Sequence, residues 1–443
     1  MNKTSKVKGV FEVLVVIGLI LVIPLFFAIK TAADKQEAKN TPMPLTLTAM
    51  ATFESNAVTT AKQPPACAFP LAQTTTAEAV PEEYIFSEPQ VALTSPVNLD
   101  IVEWLPDNRQ VLLMRDIPGK GQQSIEIFDS QIGDTQVYAI RTALSDAPPS
   151  WASELSAVVY PDMNILKNDK ANSHSSTTRQ VWVSQGNPAD VRLIADNLAQ
   201  FYVAVKPGGR QMSYLSDKQL SKRNASIASL PSLPSLPFDL TQWSVPLASF
   251  QATWRPGTSQ IFLYNTSYVP SIPGYTFLLD VDSGQICDLD LGSNAYGRNW
   301  AGVGRWSPNG RYLAVVRASG TLPLNYSDLA VLDTVTGNLY TIDVASQEEK
   351  GHHFVKDIAW APDNQHLTVI AGVFSDENRH SGLYLVDFIS GQSLHLFPTY
   401  KFSEGWWGTN MAWSPDGSEL LASCPNKEGE QLCLVNVQKN TQP

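Results

Sequence analysis

Charge is scarce in this chain. Charged side chains make up 16% of its 443 residues, against roughly a quarter in ordinary soluble domains. A chain so poor in charge and 43% apolar has ample material for a core, which excludes wholesale disorder. Cysteine is scarcer still: four residues in the whole chain exclude a fold built on disulfides. Bases are outnumbered, 31 Lys and Arg against 42 Asp and Glu, for a net charge of −11. Beyond residue 40 there are 25 bases and 39 acids, a balance of −14. A domain this acidic has no nucleic-acid footprint. The chain also lacks a G-x-S-x-G elbow, a Walker loop and a G-x-G-x-x-G turn. Those absences exclude the hydrolase module, the P-loop and the dinucleotide fold. Proline and glycine are plentiful and widely spread, at 30 and 26 residues, which favours a turn-rich β protein.

At the N-terminus, Val13 to Ile29 carries no charge; Lys3, Lys6 and Lys8 precede it and Lys30 closes it. Seventeen helical residues cover about 25 Å, the lower limit for crossing a bilayer. The reading is a cytoplasmic N-terminus at 1–9 and a transmembrane signal-anchor helix at 10–30, with the bulk of the chain extracytoplasmic. The alternative is secretion after signal cleavage near Thr31-Ala32-Ala33. Residues 31–84 are rich in Thr, Ala and Pro and keep no period of 2 or 3.6, so they read as a disordered linker.

The rest is governed by a repeat. WLPDNRQVLL begins at 104, WASELSAVVY at 151, WRPGTSQIFL at 254, WSPNGRYLAV at 306, WAPDNQHLTV at 360 and WSPDGSELLA at 413. A weaker copy, VKPGGRQMSY, begins at 205, and successive starts differ by 47 to 54 residues. In the six Trp copies a short apolar segment ends at Trp. A Pro-Asp-Gly-like turn follows, then an apolar run, then a third strand ending at Asp, as in IEIFDSQIG and LYLVDFISGQ. Four antiparallel strands per fifty residues make a propeller blade, and the repeated Trp suits the gap between blades. Trp104, Trp151, Trp254, Trp306, Trp360 and Trp413 are therefore the expected blade-core residues.

Trp413-Ser414-Pro415-Asp416-Gly417 matches in full the W-S-P-D-G word of TolB-like, PD40-type (WD40-like) β-propeller repeats, and Trp306-Ser307-Pro308-Asn309-Gly310 differs at one position. The resemblance covers residues 85–443. It implies an all-β, seven-bladed propeller, with six blades as the alternative, and is nearly silent on function. The last copy lacks a fourth strand, so Tyr84–Leu93 is expected to complete it and close the ring. Residues 216–241, with the Ser-Leu-Pro repeat SIASLPSLPSLPF, read as a long loop inside the third blade.

The connections between second and third strands and between blades are the long ones, and they share a face. That face holds Tyr296, Trp300, His352, His353, Phe402, Trp406 and Trp407 as candidate ligand-binding residues, an aromatic platform suited to a sugar ring or peptide. The competing reading is that these rings pack into the protein. His352, His353 and His380 fall short of a metal site, since adjacent histidines on extended chain point apart; no metal or cofactor is expected. Asp129, Asp280, Asp333 and Asp387 recur in register and read as turn caps, not catalytic carboxylates. Cys424 and Cys433 flank a hairpin loop and are the main disulfide candidate; Cys67 and Cys287 are a second. The reading favoured is a non-enzymatic binding or scaffold module for a protein, peptide or envelope glycan. The alternatives are a lyase- or hydrolase-type propeller enzyme, and a structural subunit of an envelope complex.

Overall fold

In the computed structural model, residues 65–68 and, with breaks, 83–440 are described; the main breaks are 143–147, 166–176, 199–202, 225–237, 240–249, 266–275, 319–326, 345–351, 375–378, 403–409 and 425–428. Residues 61–443 form one compact unit. The transmembrane and cytoplasmic segments expected at 1–30 lie outside the described residues, as does most of the linker; among the described residues no helix is long and apolar enough to cross a membrane.

The fold is an all-β propeller. Six four-stranded antiparallel sheets each come from one contiguous stretch. Blade 1 comprises Leu99–Trp104, Gln110–Ile117, Gln122–Asp129 and Thr135–Thr142. Blade 2 comprises Ser150–Ala152, Ala157–Ile165, Thr177–Ser184 and Val191–Leu198. Blade 3 comprises Val203–Val205, Gln211–Ser216, Gln219–Asn224 and Phe238–Asp239. Blade 4 comprises Phe250–Trp254, Gln260–Asn265, Thr276–Asp280 and Ile286–Asp288. Blade 5 comprises Trp300–Trp306, Tyr312–Ala318, Ser327–Asp333 and Leu339–Ile342. Blade 6 comprises His352–Trp360, His366–Phe374, Arg379–Asp387 and Gln392–Leu396.

A further sheet is composite. Met411–Trp413, Glu419–Ser423 and Glu430–Asn440 come from the end of the chain, and Glu83–Phe86 and Gln90–Ser95 pair with the last of these from the other side. This closing sheet lies between blade 6 and blade 1, because its first strand neighbours the first strand of each. Tyr84 packs its ring 5.4 Å from that of Trp413 and, edge-on, 5.4 Å from that of His366 in blade 6. The closure expected from the missing strand is thus present: the first and last described strands share one sheet, with Glu83–Phe86 and Gln90–Ser95 as its outer strands.

The core lies between neighbouring sheets. One cluster joins Val303, Val316 and Val331 of blade 5 to Ile358, Leu367 and Val386 of blade 6. Others join blade 6 to the closing sheet, the closing sheet to blade 1, blade 1 to blade 2, and blade 4 to blade 5. A middle strand covered on both faces needs no polar alternation, which is why Leu313-Ala314-Val315-Val316 is continuously buried. Each such Leu or Val contributes about 1.5–3 kcal/mol through burial.

Two expectations change. Part of the stretch read as a long loop in blade 3 is strand: Gln219–Asn224 pairs antiparallel with Gln211–Ser216, Ser216 opposite Gln219. The proline-free LSKRN portion is free to pair, and the Ser-Leu-Pro repeat after it lies outside the described residues. In blade 2, WASELS has no Pro-Asp-Gly turn. A single 3-10 turn at Ser153–Leu155 replaces it, ended by Ser156 at φ 46°, and Trp151 is only half-buried there.

Candidate functional site

One face of the ring is built from tight turns that bind one another. In blades 1 and 6 the turn word is P-D-N, and Asn108 and Asn364 take positive φ, 56° and 63°. Each amide reaches back to the preceding sheet: Asn108 accepts from the N–H of Asp416 at 2.9 Å, and Asn364 from that of Asn309 at 2.7 Å. The glycines at the same place in the neighbouring turns cannot be replaced without strain. Gly310 has φ 70°, and a Cβ there would lie 2.8 Å from the Pro256 carbonyl oxygen. The repeated aspartates work as expected. Oδ1 of Asp129, Asp280 and Asp387 each accepts two backbone N–H groups from the turn that follows, and Asp333 accepts one while pairing with Arg311 at 2.7–3.0 Å.

The first strands of the sheets neighbour one another around the ring and hold its inner polar groups. Blades 1, 5 and 6 share a register shift at the same level, between Ile101 and Glu103, Ala301 and Val303, and Val355 and Asp357. Such a bulge turns a side chain that would otherwise lie between sheets. Glu103 accepts the Trp151 N–H at 2.6 Å, tying blade 1 to blade 2. Asp357 accepts the N–H groups of Asn410 and Ile358, both at 2.8 Å, tying blade 6 to the chain entering the closing sheet. Removal from water raises the Glu103 carboxyl to about 7, while the Trp151 N–H and the charge of Arg305 oppose the rise. Burial likewise raises Asp357, against Arg305 and its two N–H donors. These acids act as acceptors for the framework.

A pH dependence follows. A carboxyl raised from 4.5 to about 7 binds its proton more tightly folded than unfolded, so its contribution is fully present below pH 4.5 and is lost as pH rises to 7. Glu103→Gln keeps the oxygen that accepts the Trp151 N–H and removes the ionisation. Urea unfolding is expected to give matching stabilities for the two proteins at pH 4. At pH 8 the variant is expected to be more stable by about 3 kcal/mol. Equal stability at both pH values would refute the assignment.

A second polar group sits at the opposite end of blade 1. Asp116 accepts from Asn98 Nδ2 at 2.9 Å and Gln123 Nε2 at 3.0 Å, and the fully buried Arg141 donates to Gln123 Oε1 at 3.0 and 3.2 Å. Beside them Asp100 is raised to about 6, first by burial and then by the charge of Asp116, with Arg141 opposing and Glu430 adding to the rise.

The expected aromatic platform is only partly within the described residues. Tyr296, Trp406 and Trp407 lie outside them. Trp300 and His352 begin the first strands of blades 5 and 6, opposite Ala318 and Phe374. His353 is placed opposite Val373, and Val373 opposite His380, but the Nδ1 of His353 meets Asp343 at 2.8 and 3.0 Å. Among the described residues no three His, Cys, Asp or Glu gather as a metal site. Phe402 is corrected outright: it is 3% exposed and packs in the cluster of Met411 and Trp413, so it is core and not platform. An aromatic residue in a connection carries no sequence mark of which way its ring turns. The blade-core tryptophans are buried at 104, 254, 306, 360 and 413. Arg305 supplies positive charge beside Glu103 and Asp357, and no repeat position marks it in the sequence.

Both cysteine pairs are bonded. Cys424–Cys433 joins neighbouring strands of the closing sheet with Cα atoms 5.9 Å apart. Cys67–Cys287 joins residues 65–68 to the outer strand of blade 4 with Cα atoms 4.8 Å apart.

No family model matches the chain, and no curated protein matches it. Solved structures do. The WD40 repeats of RRP9 align with a TM-score of 0.50 at 10% identity, over 80% of this chain and all of that one. An oligogalacturonate lyase in complex with manganese aligns at 0.47 and 11% identity, over 81% of this chain and 97% of that one. TolB from Acinetobacter baumannii aligns at 0.36 and 12% identity, over 74% of this chain and 78% of that one. At such identities the likeness shows the β-propeller fold and nothing finer.

Proposed function

We propose that this chain is a membrane-anchored, extracytoplasmic propeller that serves as a binding or scaffold module for a protein, peptide or envelope glycan. Its repeats belong on this reading to the TolB-like, PD40 type, and the composite closing sheet counts as the seventh blade. The observation that carries the binding role is the use made of the central acids. Glu103 and Asp357, the groups best placed for acid–base work, are taken up by backbone N–H groups of adjoining segments. The centre is framework, which leaves recognition to the long connections. The apolar run at 13–29 supports the anchor, and the two disulfides favour an oxidising compartment.

The test is capture from native membranes with the full-length chain, beside a Trp406→Ala, Trp407→Ala form. A partner held by the parent and reduced at least tenfold in the variant supports recognition through that face. Equal capture by both refutes it.

A further inference from the structure

The two disulfides differ in their surroundings. Cys424 and Cys433 are buried, at 5% and 2% exposure: Cys424 directly follows the strand Glu419–Ser423, whose Ala422 is opposite Cys433, and the Cys424 N–H donates to the Gln431 carbonyl at 2.8 Å. If that bond opened, the sheet would still hold the sulfurs together. Cys67 and Cys287 are half-buried. Cys67 is held by one isolated parallel bridge, Ala66 opposite Asp288, with Cys67 N–H donating to Asp288 O at 3.0 Å and Asp288 N–H to Pro65 O at 2.8 Å. Among the described residues, the next paired one along the chain is Glu83 in the closing sheet. Once freed, Cys67 would have only that bridge and its two backbone hydrogen bonds, among the described residues, to hold it beside Cys287.

We propose that Cys67–Cys287 is a reducible clasp that selects where the N-terminal chain joins the propeller. Closed, it fixes residues 65–68 on the outer strand of blade 4, as a short fifth strand covering that edge. Open, the first paired residue among the described ones becomes Glu83 on the closing sheet, three sheets further round the ring. The reductant is a dithiol. One thiolate attacks a sulfur of the pair, the S–S bond breaks and a mixed disulfide forms. The second thiol displaces the remaining cysteine. Two electrons and two protons end on Cys67 and Cys287, and the dithiol leaves as a disulfide. The inference does not depend on what the N-terminus is attached to, and so stands apart from the membrane reading.

The experiment uses the full-length chain with a site-specific protease sequence inserted after Gln73, cut, and titrated with dithiothreitol. Thiols are trapped with a mass-tagged maleimide and mapped. Without reductant, the N-terminal fragment is expected to stay with the propeller. It should be released as Cys67 and Cys287 become labelled, at a dithiothreitol concentration at least tenfold below that needed for Cys424 and Cys433. A Cys67→Ser, Cys287→Ser form should lose the fragment with no reductant at all. Reduction of both pairs together would overturn the proposal. So would a fragment that stays bound after Cys67 and Cys287 are labelled, since strand pairing alone would then be the clasp.

Discussion

Arg317→Met is expected to destabilise the propeller by about 3 kcal/mol, the lower part of the range for breaking a buried ion pair. Arg317 lies in the second strand of blade 5, and its side chain is 8% exposed. It donates to both oxygens of Asp328 on the third strand, at 2.8 and 2.6 Å, and to Thr341 on the fourth at 3.1 Å. Its remaining nitrogen reaches the Leu291 carbonyl at 2.7 Å, in the connection that leaves blade 4. One guanidinium therefore joins three strands of one blade to the connection from the blade before, in the planar fork geometry that lysine cannot reproduce. Methionine matches the volume and removes every donor. The cost arises mainly from Asp328, left charged beside apolar surroundings, and from a buried carbonyl without a donor. The check is urea unfolding, read as a shift in midpoint at constant slope. The combined Arg317→Met, Asp328→Leu form should recover at least half of the loss, because it removes the stranded charge. If the double variant is no better than the single one, the packing of the side chain, and not its charge, holds this corner.

How much of this was legible in the sequence depended on repetition. The Trp-x-Pro word, followed by a turn whose backbone needs are specific, occurs five times, and each occurrence reinforced the same reading. Even the missing strand of the last repeat pointed to Tyr84–Leu93, where Glu83–Phe86 and Gln90–Ser95 pair with the last strand. Where the word decayed, the reading weakened in step. WASELS became a 3-10 turn with a half-exposed Trp151, and the strand Gln219–Asn224 was hidden next to prolines. The site was less visible because its residues occur once. Glu103 is an ordinary acid until a bulge turns it toward an N–H that lies 48 residues on, and Arg317 meets Leu291 across a distance of 26. Neither partner is implied by local pattern. Phe402 shows the opposite failure: its neighbourhood of aromatic residues suggested a surface for stacking, yet the ring completes the core between blade 6 and the closing sheet.

Trp360→Ala should have the largest effect, a loss of about 3–5 kcal/mol, the usual cost of emptying a large aromatic site that cannot collapse. The indole stands at the end of the first strand of blade 6, facing blade 5. It lies 5.6 Å from Phe388, edge to face, and 6.2 Å from Tyr312, within the cluster that joins the two blades. Its Nε1–H donates to the Arg305 carbonyl at 3.0 Å, and Trp306 repeats the contact one blade back, donating to the Thr253 carbonyl at 3.2 Å. Each indole thus bonds the residue that precedes the tryptophan of the neighbouring blade. The ring fills the gap between two rigid sheets, and its nitrogen sets the height of one against the other. The two contributions separate by substitution. Trp360→Phe keeps most of the apolar contact and drops the indole donor, so about 1 kcal/mol should be lost. Trp151→Ala, at the half-buried equivalent in blade 2, should cost markedly less than Trp360→Ala. A closed ring of blades has no free end to fray, so the loss at one gap should lower the unfolding midpoint of the whole domain as a single transition. Calorimetry distinguishes the outcomes: one shifted peak supports this coupling, whereas two peaks would show that the blades on either side of Trp360 unfold independently.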